Sequence, residues 1–245
     1  MFDFKGRTLV LTGATGGIGF ETAKLFHKLG ANLVLADIDI DNLKDKKSKL
    51  DDGSAGVEIC AIDVSKNEEN KKLVSHAVAA FGSIDFLVPC AGIYPANPIK
   101  EMTVEQWHKV IDVNLNGVFY LIKQAIDHLN EHSSIVTLSS VAAFRGAQYN
   151  AHYAATKGAI VSLTRSLAKE LGPKTRVNAL APGIIETLMT KDLLKTRYDE
   201  SVALSPLKRL GQPSEMATVI AFLCSSGASF ITGEIIQANG GIYMS

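Results

Sequence analysis

Short apolar runs alternate with helix-like stretches along the whole chain, and glycine, proline or an acid marks most of the changeovers. Thr8-Leu9-Val10-Leu11-Thr12 reads as a buried strand closed by Gly13. A helical pattern then covers residues 20–29 and stops at Gly30, a natural C-terminal glycine. Further strands are expected at 32–36, ending in Asp37, and at 57–62, ending in Asp63-Val64. Others fall at 86–88, running into Pro89-Cys90-Ala91-Gly92, at 135–139, at 176–181 before Pro182-Gly183, and at 234–237. Between them, helical patterns occupy 66–81, 103–130, 151–171 and 214–224. The charge-alternating run 40–52, Asp51 included, reads as the solvated face of one more helix. Residues 186–210 fit neither pattern and read as an insertion folded over a site. Strands alternating with helices predict an α/β, single-domain Rossmann-type fold, a doubly wound parallel sheet of about seven strands with helices on both faces.

Composition narrows the class. The chain has 245 residues, 47% hydrophobic and 20% charged, with 25 basic and 25 acidic side chains. That balance suits one globular domain and gives no reason to expect nucleic acid or an anionic membrane as partner. The first residues have no apolar signal core, and no run is long enough to span a bilayer, so a reducing cytoplasm is the expected location. Cys60, Cys90 and Cys224 are widely spaced and odd in number, which predicts small core residues rather than disulfides. The six histidines form no ligand cluster, and no metal site is expected.

The chemistry concentrates at strand ends. The stretch from Gly13 to Gly19 lies between a strand and a helix, so its glycines would let a pyrophosphate approach the main chain while the helix end directs N–H groups at it. Asp37, closing the next strand, suits the hydroxyls of an adenosine ribose and would repel a 2′-phosphate. Its neighbours Ala36, Ile38 and Asp39 are not basic, which favours NAD over NADP. Gly13, Asp37, Asp63, Gly92, Ser140 and Gly183 all fall at carboxyl ends of expected strands, the edge where such sheets bind ligands. Asn114, placed mid-helix at a cost in helix propensity, is expected to hydrogen-bond something. Tyr153 and Lys157 are four residues apart and share a helix face, after Ser139-Ser140. Tyr149 has no such lysine, and His152 points to another face and is not expected to be catalytic.

Taken together, Thr12-Gly13…Gly17…Gly19, Asp63-Val64, Ala91-Gly92, Asn114, Ser140, Tyr153-x-x-x-Lys157 and Pro182-Gly183…Thr187 resemble the short-chain dehydrogenase/reductase superfamily along nearly the whole chain. Within it the tail, with Arg209-Leu-Gly-Gln-Pro213, Ile231-Thr-Gly-Glu234 and Asn239-Gly-Gly241, is most similar to 3-oxoacyl-acyl-carrier-protein reductases. The resemblance implies Tyr153 as general acid/base, Lys157 lowering its pKa and holding the nicotinamide ribose, Ser140 orienting substrate, and Asn114 supporting a water chain. It implies dinucleotide contacts from Gly13, Thr15, Gly17, Ile18 and Gly19, from Asp37, Asp63, Val64, Ala91 and Gly92, and from Pro182, Gly183, Ile185 and Thr187. Ile93, Tyr94, Ala142, Ile184, Leu188 and Met189 would line a largely apolar pocket for an alcohol or ketone. A homotetramer is the usual assembly in this superfamily, and the long helices and the apolar tail (Ile235, Ile236, Ile242, Tyr243, Met244) suit one. Three departures stand out: Pro89-Cys90 where the superfamily has two asparagines, Asp37 where NADPH-using fatty-acid reductases differ, and an acidic 127–132 where carrier-protein reductases are basic. The expected function is therefore an NAD(H)-dependent secondary alcohol dehydrogenase. The alternatives are a true 3-oxoacyl-carrier-protein reductase and, in a different class, a non-catalytic dinucleotide-sensing protein.

Overall fold

The computed structural model describes residues 2–50 and 52–244; of the expected charged helix, Asp51 lies outside the described residues. One seven-stranded sheet has the order β3-β2-β1-β4-β5-β6-β7, with every neighbouring pair parallel. The strands are β1 (Thr8–Thr12), β2 (Asn32–Asp37), β3 (Val57–Ala61), β4 (Ile84–Pro89), β5 (Leu129–Leu138), β6 (Thr175–Pro182) and β7 (Ile235–Ala238). The helices are α1 (Gly17–Lys28), α2 (Ile40–Ser48), α3 (Asn67–Phe81), α4 (Val104–Ile111), α5 (Gly117–Ala125), α6 (Ala142–Arg145), α7 (Ala151–Leu171), α8 (Lys191–Leu204) and α9 (Pro213–Cys224). β1 and β4 are buried at every position, as a central strand covered on both faces requires. Two apolar layers result. One packs α1 and α9 against the sheet around Phe4, Phe26 and Phe86, with ring centroids 4.6–5.5 Å apart. The other carries residues of α3, α5 and α7 on the opposite face.

The doubly wound α/β Rossmann architecture therefore stands as expected, and the differences lie at element ends. The helix expected over 103–130 is two helices joined by a π-helical turn, Asp112–Asn116, and it stops at Ala125. β5 begins at Leu129, six residues before the expected strand. Its first half hides behind polar side chains and a register shift between Ile84 and Phe86, with His132 in the left-handed region at φ 59°. Asn130 anchors that irregular stretch by donating to Ser83 Oγ at 2.8 Å and Asp85 Oδ1 at 3.0 Å.

The Pro89-Cys90 departure is accommodated without loss of the strand. Pro89 pairs with Thr12, and the Thr12 hydroxyl accepts from the Ala91 N–H at 3.3 Å. The expected insertion over 186–210 is an excursion that contains α8, kinked at Arg197. It leaves and returns at one point, where Glu186 N–H donates to the Gly211 carbonyl at 2.9 Å and Gly211 N–H to that of Ile184 at 3.0 Å. Of the cysteines, Cys224 lies in the core as expected, whereas Cys60 and Cys90 are only half-buried.

Candidate active site

The carboxyl edge of the sheet carries a cleft of about 790 Å³, and beside it a second cavity of about 250 Å³. The cleft is lined by Gly13, Thr15, Gly17, Ile18, Gly19, Asp37, Asp63, Val64, Ala91, Gly92 and Thr187, so most of the expected dinucleotide contacts share one wall system. Gly13 is needed where it is. Its φ is +66°, and a Cβ there would sit 2.7 Å from the Ala91 nitrogen. Gly19 is closer still, a Cβ falling 2.1 Å from the Gly13 carbonyl oxygen. Helix α1 opens onto the cleft with no side-chain cap at Gly16 and no acid in its first turn. Its orphan N–H groups and dipole thus suit a pyrophosphate, and a dinucleotide fits the residues present.

At the far end of the cleft Asp37 is held in place from both sides. Its Oδ2 accepts from the Thr15 amide at 3.1 Å and the Thr15 hydroxyl at 2.7 Å, and its Oδ1 accepts from the Ile38 amide at 2.8 Å. Asp63 is fixed similarly by Ser65, whose N–H and hydroxyl donate to Oδ1 at 2.9 and 2.7 Å. Cys90 also lines the cleft, and burial pushes its thiol up to about 11. The sequence reading missed Lys66, just before α3, and His108, Lys109 and Asp112, on α4 and the turn after it, which line the same cleft. No residue pattern marked them, because they are ordinary charged positions at helix ends and on helical surfaces.

The second cavity takes Ser140, Tyr153 and Gly183. Ser140 Oγ accepts from the Ala142 amide at 3.1 Å. Ser139, its neighbour, is turned away and donates to the Lys157 carbonyl at 2.9 Å. Burial is the main influence on Tyr153 and pushes its phenol up to about 12; a hydrogen bond with Ser140 opposes this, while Tyr94 and Cys90 add to the rise. Lys157, expected to lower that value together with a bound nicotinamide, stands next to the ring. The ammonium lies 5.5 Å from the Tyr153 ring centroid and donates to the Leu138 carbonyl at 2.7 Å. Burial brings Lys157 itself down to about 8.

Asn114 finds its partner as anticipated. Its Oδ1 accepts from the Ile93 amide at 2.8 Å and its Nδ2 donates to the Ile93 carbonyl at 2.9 Å. The side chain thus clamps the loop after Gly92, with both of its polar atoms committed there. Ile185 packs its side chain into the core at 4% exposure and lines neither the cleft nor the second cavity. Pro182 ends β6, where its carbonyl accepts from the Val141 amide at 2.9 Å. The cavity is less apolar than expected. Tyr94, Ala142, Ile184 and Met189 line it as predicted, but so do Arg145, Gln148, Arg197 and Glu200. Arg197 and Glu200 face each other as an ion pair, with Arg197 Nε 2.7 Å from Glu200 Oε2. Among the described residues, no group of three or more His, Cys, Asp or Glu is placed to hold a metal, and no helix is long and apolar enough to cross a membrane.

Residues 13–243 match a family model described as enoyl-(acyl carrier protein) reductase. The chain is 38% identical to a 3-oxoacyl-[acyl-carrier-protein] reductase FabG of Thermotoga maritima, covering 97% of this chain and 98% of that protein. It is 36% identical to the FabG of Rickettsia felis over the whole of both. A crystal structure from Brucella melitensis, described as a short-chain dehydrogenase/reductase, glucose/ribitol dehydrogenase, superposes with a TM-score of 0.97 at 59% identity, covering 100% of this chain and 99% of that one.

Proposed function

The chain belongs to the short-chain dehydrogenase/reductase family, and from that premise we propose that it is an oxidoreductase interconverting a ketone and a secondary alcohol with NAD(H). The observation that carries this reading is the Ser140–Tyr153 pair on the second cavity, with the Lys157 ammonium 5.5 Å from the Tyr153 ring centroid, beside a cleft that fits a dinucleotide. When bound, the nicotinamide supplies or takes the hydride. Tyr153, with its phenol held up at about 12, keeps a proton at Oη to give to a carbonyl oxygen in reduction; in oxidation the same oxygen takes it back. The Ser140 hydroxyl orients that carbonyl, and Asn114 holds the loop whose Ile93 lines the cleft and whose Tyr94 lines the second cavity.

Two features divide the finer reading. The relatives named as 3-oxoacyl-carrier-protein reductases favour a 3-oxoacyl thioester as substrate, ahead of an unspecified alcohol. The solved relative described as a glucose/ribitol dehydrogenase, together with the acidic 127–132 stretch, supports the second reading, a free alcohol or ketone. Asp37, which takes its hydrogen bonds from Thr15 and Ile38 rather than from a basic side chain, supports NAD(H) in either case. Turnover of a 3-oxoacyl thioester and of a panel of polyols and ketones, each with NADH or NAD⁺ and with the phosphorylated cofactor, tests all of this. NAD(H) is expected to win, and Asp37→Ala with Ile38→Arg to move the ratio of catalytic efficiencies toward NADP(H) by about tenfold or more. A wild-type preference for NADPH, or an unmoved ratio, would sink the ribose role of Asp37.

A further inference from the structure

His152 precedes Tyr153 and is completely buried. Helix α7 begins after Asn150, but the Asn150 side chain does not cap it; Nδ2 donates instead to the Pro95 carbonyl at 2.6 Å. An orphan donor of the first helical turn, the N–H of Tyr153 itself, donates to His152 Nδ1 at 2.9 Å. A ring nitrogen that accepts a hydrogen bond carries no proton, so the neutral imidazole has its proton on Nε2. That nitrogen lies 3.1 Å from Asn97 Oδ1, which accepts it. Asn97 in turn donates its own N–H to the Tyr149 carbonyl at 2.7 Å. The loop after β4 is thereby tied to the start of α7 at three points. At the head of that loop the Tyr94 ring stands edge-on to the Tyr153 ring, with centroids 4.6 Å apart and planes at 77°.

We propose that His152 is a positioning residue for proton transfer: its neutral, Nε2-protonated imidazole joins the Tyr153 N–H to Asn97, fixing the Tyr153 backbone and the Tyr94 ring that confines the phenol. The proposal rests on Tyr153 being the proton-transfer group and is independent of which substrate or dinucleotide binds. Two side-chain torsions connect the Tyr153 backbone to its Oη. Holding the backbone on one side and a flanking ring on the other leaves the oxygen little room to move, and small displacements at a reacting oxygen are costly in rate. A plain cap for α7 does not need this arrangement. Asn150 occupies the cap position and is committed to the same loop, so both side chains serve the join between loop and helix.

Three variants test it, each compared with the wild type for kcat, KM, dinucleotide Kd and thermal midpoint. His152→Phe keeps a ring and removes both hydrogen bonds. Asn97→Leu removes the acceptor, and Asn97→Asp restores it. His152→Phe and Asn97→Leu are each expected to lower kcat about tenfold, the worth of one hydrogen bond, with dinucleotide Kd within about twofold. Asn97→Asp should return to within about threefold of the wild type. Adding Tyr94→Ala to His152→Phe should cost less than Tyr94→Ala costs alone, because the two act through one constraint. An unchanged kcat in a folded His152→Phe or Asn97→Leu protein overturns the assignment, as does an Asn97→Asp enzyme as slow as Asn97→Leu. If His152→Phe does not fold by circular dichroism, the Asn97 pair decides. Tyr153→Phe, assayed alongside, separates the premise from the proposal. Loss of turnover upholds the premise, so that a null result at His152 and Asn97 then sinks the positioning role alone; turnover retained by Tyr153→Phe sinks the proton-transfer reading itself.

Discussion

Lys157 faces two demands that oppose each other. It must be charged to act beside a phenol, and it must be buried, at 6% exposure, to be there. Burial brings its pKa down to about 8 and pushes that of Tyr153 up to about 12. Carbonyl reduction, which takes one proton from Tyr153 and needs Lys157 charged beside it, is therefore predicted to fall as pH rises through about 8, with Tyr153 contributing no limb below that. Lys157→Arg, whose guanidinium stays charged, should be slower but lack that limb; a rate profile identical to the wild type from pH 7 to 10 would count against Lys157 as its source. The same shift bears on folding. The folded pKa lies below the unfolded 10.5, so folding releases a proton in this window, and stability from this group rises between about pH 8 and 10.5. The Tyr153–Lys157 spacing was legible from a helical period of 3.6. The involvement of His152 was not, because adjacent helical residues point apart and its partner Asn97 lies 55 positions away.

Among the elements, the π-helical turn at Asp112–Asn116 does most to join scaffold and site. It sets the fully buried Asn114 where both of its polar atoms meet Ile93. Asn114→Ala would leave the Ile93 N–H and carbonyl without those partners, at a cost of about 2 kcal/mol. Urea unfolding should show a lower midpoint with an unchanged slope, and turnover should fall with it; an unmoved midpoint would mean the clamp contributes nothing. The sequence showed that Asn114 was out of place in a helix, yet not that the helix widens around it, since an i→i+5 turn leaves no compositional mark. Strands β1 and β2 were readable nearly to the residue because each is an unbroken apolar run. The front half of β5 was not: Asn130, Glu131 and His132 interrupt the apolar signal, and a bulge supplies the pairing that the pattern lacks.

On the scale of the molecule, large apolar side chains remain in solvent on a single copy. Phe119 on α5 is 47% exposed, Met244 in the tail 74%, and Phe230 before β7 fully so. β7 is moreover an edge strand of the sheet. Such patches fit the tetramer expected from the family, and light scattering on purified protein should give four chains per particle. Phe119→Glu should shift the mass toward smaller species; a wild-type mass of one chain at every concentration would refute the assembly.

The chain crosses between Ile184 and Gly211 twice within a few ångströms, and what lies between is held there and again past β7, where the Ser205 hydroxyl donates to the Gly240 carbonyl at 2.9 Å. Such an excursion is separable. Evolution can exchange what it carries, like a tool bit in a fixed chuck, so long as both anchors keep their backbone partners. Relatives that share the sheet are then free to diverge in what they accept, and inheritance of the scaffold says little about inheritance of the diet.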